Sequence, residues 1–72
     1  MKIIAKLDII GTNWTYYAVY FNSGTQQSVS GHYPISSAEY AEEKLAIEYE
    51  IVSQINQATG DVLASVNDIV WI

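Results

Sequence analysis

The sequence predicts an α+β fold in the order β-β-β-α-β: an antiparallel meander sheet covered on one face by one long helix, with the last strand beside the first. Three observations predict it. Residues 3 to 10 carry an apolar set at every second position, a helix-start signature stands at Ser36, and a β-rich run closes the chain after a glycine.

Within Ile3 to Ile10, the residues Ile3, Ala5, Leu7 and Ile9 share one face of a strand, and that odd face should meet the core. Gly11-Thr12-Asn13 reads as a short turn. Trp14 to Phe21 follows as a second strand, crowded with aromatic and β-branched residues. Asn22-Ser23-Gly24-Thr25 is the next turn, with Gly24 suited to positive φ. A more polar third strand, Gln26 to Tyr33, ends at Pro34, which has no ladder N–H to offer.

Ser36 at the N-cap and Glu39 three residues later form a capping box, with Ile35 and Tyr40 at staple positions. The helix runs to about Thr59, a length of about 33 Å, and Gly60 supplies its left-handed stop. Tyr40, Ala41, Leu45, Ile47, Ile51, Val52, Ile55 and Ala58 fall on its apolar side, and Glu39, Glu42, Glu43 and Glu50 on the other. Val62 to Ile72 predicts a last strand whose phase is interrupted at Asn67-Asp68.

With 72 residues, the chain is one domain, 1–72, since so short a sequence cannot divide its apolar residues between two cores. Half of those residues are hydrophobic, which argues against intrinsic disorder. Cysteine is absent, so neither disulfides nor thiolate metal sites support the fold. The apolar start is broken by Lys6 and Asp8, too early for a secretory or membrane segment, and the expected location is cytoplasmic.

Eight acidic residues against three lysines give a net charge of −5, which disfavours direct nucleic-acid binding. Five of the acids, Glu39, Glu42, Glu43, Glu48 and Glu50, lie within twelve residues. A rigid row of carboxylates can imitate phosphate spacing and occupy a basic channel. If Tyr17, Val19 and Phe21 face the helix, then Trp14, Tyr16 and Tyr20 lie bare on the sheet's back as an apolar anchor. Lys44 and Glu48, four residues apart, fall at the edge of the helix's apolar side as a contact point. His32 reads as a surface strand residue without a catalytic neighbour. Triads, phosphate loops and zinc patterns are absent, so no cofactor is expected.

Three resemblances add expectations. The strand with Asp8, then Tyr17-Ala18-Val19-Tyr20, Ser30-Gly31-His32-Tyr33, the helix with Glu42, and Ser65-Val66-Asn67-Asp68 resemble the first half of the ribonuclease H fold. That implies a Mg²⁺-dependent nuclease using Asp8, Glu42 and Asp68. The same strand order is similar to HicB-type antitoxins, which bind a small basic toxin. Length, acidity, the lack of cysteine and the Ala18-Val19-Tyr20 strand leading into Asn22-Ser23-Gly24 resemble small phage anti-CRISPR inhibitors.

The leading expectation is a non-enzymatic inhibitor of a basic, nucleic-acid-handling protein. It would bind through Glu39, Glu42, Glu43 and Glu50 with Trp14, Tyr16 and Tyr20, without membrane contact. A reduced nuclease and a homo-oligomeric module, a homodimer through the aromatic stripe, are the alternatives.

Overall fold

The first strand fixes the phase of the whole sheet. β1, Ile3–Ile10, turns Ile3 and Ala5 into the core and packs Leu7 against it, while Ile9 at the far end stays exposed. The structure, a computed structural model, describes residues 1–11, 13–34, 40–61 and 63–72, with side chains at all of these except 10, 34 and 40–43.

β2, Asn13–Asn22, runs antiparallel to β1, and Ile10 lies opposite Asn13, so two residues separate the strands. Gly11 takes φ 61°, a left-handed conformation open to glycine. The loop length decides the facing of β2. Residues directly opposite one another share a face, and Ile3, Ala5, Leu7 and Ile9 stand opposite Tyr20, Ala18, Tyr16 and Trp14. The expectation that Trp14, Tyr16 and Tyr20 lie bare on the sheet's back is therefore corrected. They are 2%, 0% and 2% exposed, and Tyr17 and Phe21 are turned outward instead. A three-residue turn would oppose Leu7 to Tyr17; the two-residue connection slips the register by one and reverses every side chain.

β3, Thr25–Pro34, pairs antiparallel with β2 over ten consecutive positions. Ser23 and Gly24 between them have φ 53° and 79°, two left-handed residues as a type I′ hairpin requires. Val29, Gly31 and Tyr33 share the helix-facing side with Ala18, Tyr16 and Trp14, and Ser28, Ser30 and His32 share the other with Val19, Tyr17 and Thr15.

α1, Tyr40–Thr59, lies across this sheet. Ile35, Ser36 and Glu39, the expected start signals, lie outside the described residues, as does the side chain of Tyr40. Ile47, Ile51 and Ile55, at four-residue spacing, are fully buried against Ile3, Ala5, Trp14, Tyr16, Ala18 and Tyr20. Each such burial contributes about 1.5–3 kcal/mol. The buried stripe is narrower than the sequence pattern: Val52 packs partly, whereas Leu45 and Ala58 face solvent. A single sheet touches only one side of the helix, which leaves the flanks of the apolar arc uncovered. The helix ends as expected, with Gly60 at φ 77° and its N–H donating to Asn56 O at 3.0 Å.

Asn56 also holds the returning chain. Its Oδ1 accepts from the N–H groups of Leu63 and Ala64, both at 2.9 Å, and its Nδ2 donates to Ala64 O at 3.3 Å. A 3₁₀ turn, Val66–Asp68, accounts for the interrupted phase, and β4, Ile69–Trp71, then runs parallel to β1. The sheet order is β3-β2-β1-β4, so the last strand lies beside the first.

Candidate functional site

One face of the sheet carries the helix. On the other, strand alternation places Tyr17, Val19 and Phe21 along β2, with Ile4 opposite Val19 and Val70 opposite Ile4. Tyr17 is 50% exposed, Phe21 61% and Val70 46%, while Ile4 and Val19 are half-buried between them. These form a contiguous apolar surface on a rigid platform, the kind of patch that marks a contact site. Lys6 and Asp8 border it as an exposed ion pair at 3.9 Å. On the β3 side, His32 is exposed, as expected, and its Nδ1 lies 3.3 Å from Thr15 Oγ1.

The residues expected to form the site are not gathered on this face. Trp14, Tyr16 and Tyr20 are core residues of the opposite face. Glu39 and the side chains of Glu42 and Glu43 lie outside the described residues. Glu50, expected on the outward acidic face, is half-buried and engages the Tyr16 hydroxyl. Gln54 Nε2 also donates to Tyr16 Oη. Burial, and then the negative charge of Glu50, push the Tyr16 hydroxyl up to about 12. The buried phenol is therefore neutral over the physiological range and acts as a polar tether between sheet and helix.

Lys44 and Glu48 meet a residue of their own chain. Trp71 Nε1 donates to Glu48 Oε2 at 2.9 Å, and Lys44 Nζ stands 5.3 Å from the Trp71 ring centre. The contact point read at the edge of the helix is thus covered by β4. Beside it, Leu7, Ile9, Lys44, Trp71 and Ile72 line a cleft of about 190 Å³. That is below the roughly 300–1,000 Å³ of ordinary small-molecule sites.

The nuclease constellation does not converge. Asp8 extends from the face away from the helix that carries Glu42, near the end of β1. Asp68 precedes Ile69, which pairs with Ile3 at the other end of β1, so roughly 17 Å of strand separates the two carboxylates. Asp68 is used locally: its Oδ2 accepts from Ser65 N–H at 2.9 Å, and its Oδ1 lies 3.6 Å from the Met1 ammonium. Among the described residues no group of three or more His, Cys, Asp or Glu side chains is arranged to hold a metal ion.

Sequence reasoning missed Tyr17, Phe21 and Val70 as the exposed set. What decides them is the two-residue connection of the first hairpin, which locks β2 to the facing of β1 and which the turn residues Gly11-Thr12-Asn13 do not announce.

No protein-family model, curated protein or solved structure matches the chain. Among the described residues no helix is long and apolar enough to cross a membrane. The candidate site therefore rests on geometry and charge.

Proposed function

We propose that the chain is a non-enzymatic protein-binding module, an acidic inhibitor that blocks a basic, nucleic-acid-handling protein by laying the bare face of its sheet against it. The observation that carries this reading is the exposure of Tyr17 and Phe21 beside Ile4, Val19 and Val70. Aromatic side chains held by a sheet lose little conformational freedom on docking and supply anchor contacts. The net charge of −5 supplies the steering, because a basic partner is drawn toward the chain before contact forms. Glu42 and Glu43 act in this reading through the long-range field, and Tyr17 and Phe21 take the anchoring part first assigned to Trp14, Tyr16 and Tyr20. The resemblance to phage anti-CRISPR inhibitors gives its most specific form, a phage-encoded block on a host nucleic-acid enzyme.

The test immobilises the folded chain, captures basic proteins from lysate at low salt, and then adds competing nucleic acid. The expected result is release of the captured protein by nucleic acid and by salt, loss of capture with Phe21→Asp, and slower association with Glu42→Lys combined with Glu43→Lys. Capture that survives Phe21→Asp, or that nucleic acid cannot displace, overturns the reading.

A further inference from the structure

We infer that two copies of this chain join through the outer edge of β3, extending the sheet into one of eight strands. β3 is an edge strand ten residues long, whereas the opposite edge, β4, has three residues. An edge of that length presents a row of backbone donors and acceptors to any strand that approaches it. Within β3 itself, charged side chains and a bulge, which blunt such an edge, are missing. Thr25–Pro34 contains no Asp, Glu, Lys or Arg, its pairing with β2 is unbroken by a bulge, and proline stands only at its end.

The make-up of β3 points to a second copy as the occupant. A chain of net charge −5 repels its own kind, yet β3 carries no formal charge, so two such strands can lie side by side without setting like charges against one another. The strand is also compatible with itself. In the hairpin closed by Asn22 and Thr25, antiparallel alternation directs the backbone groups of Thr25, Gln27, Val29 and Gly31 toward β2. Those of Gln26, Ser28, Ser30 and His32 then point outward. A twofold axis at Val29 sets Ser28 against Ser30 and Gln26 against His32 of the other copy, allowing about eight backbone hydrogen bonds. Antiparallel pairing of this kind puts both helices on one side, and the exposed faces with Tyr17 and Phe21 become continuous.

Sedimentation equilibrium of the whole chain, from micromolar to millimolar concentration, tests this. The expected mass rises to twice 8.0 kDa. Ser30→Pro removes an outward N–H without breaking a bond to β2 and should return the mass to that of one chain with an unchanged circular dichroism spectrum. Should that variant fail to fold, Ser28→Lys combined with Ser30→Lys sets like charges opposite one another and should also abolish the dimer. A single-chain mass at every concentration overturns the inference, as does a dimer that persists in the folded edge variants. Phe21→Asp should leave the dimer intact, which separates this edge from the face proposed to bind a basic protein.

Discussion

The phenol ring of Tyr16 occupies the space where a side chain of Gly31 would be. The two residues are opposite one another on β2 and β3, and a Cβ built on Gly31 would stand 2.5 Å from Tyr16 Oη and 2.8 Å from Cζ. Glycine is needed here for close approach, so that a buried ring can lie across the neighbouring strand beneath α1 and carry its hydroxyl to Glu50 and Gln54.

Gly31→Ala should therefore overpack the sheet-helix interface and reduce stability by about 1–3 kcal/mol in urea unfolding. The effect should be coupled to the ring. In a Tyr16→Leu background the added methyl has room, and the penalty of Gly31→Ala should shrink by more than the error of a double-mutant cycle.

The same hydroxyl predicts a loss of stability in alkali. Its folded value is pushed up to about 12 from the ordinary 10.0, chiefly by burial and then by Glu50. The native state thus retains a proton that the unfolded chain releases. This contribution is complete below pH 10 and is lost as pH rises through 12. Unfolding free energy, measured in urea at each pH, should decline across that interval, and Tyr16→Phe should flatten the decline.

Much of the fold is legible in local signals: the odd face of β1, the Ser23-Gly24 turn, the stop at Gly60 and the interruption before β4. The facing of β2 is not. Both of its faces are apolar, Trp14, Tyr16, Ala18 and Tyr20 on one and Tyr17, Val19 and Phe21 on the other, so composition cannot choose between them. The choice rests on whether two or three residues turn the chain after Ile10, a distinction that Gly11-Thr12-Asn13 leaves open in the sequence. The candidate site follows from that choice. Lys44 and Glu48 were legible as a pair at a boundary, but their partner Trp71 comes from a strand more than twenty residues later.

Asn56 is the polar link between the helix end and the strand that returns to β1. Asn56→Ala removes its acceptor from Leu63 and Ala64, and the buried position of Ala64 limits replacement by water. The expected loss is about 1–2 kcal/mol in urea unfolding. Asn56→Asp keeps the acceptor and should recover part of it.

The facing of β2 makes the sharpest prediction, because it assigns opposite roles to neighbouring residues. Tyr20 is 2% exposed in the core and Phe21 is 61% exposed on the open face. Tyr20→Ala should cost about 3–5 kcal/mol, as for other buried aromatics. Phe21→Ala should stay within about 1 kcal/mol, because its ring remains largely hydrated in the folded state. Thermal unfolding of the two variants reads the register directly. If Phe21→Ala were the more damaging, the sheet would be turned over, and Tyr17 and Phe21 would belong to the core.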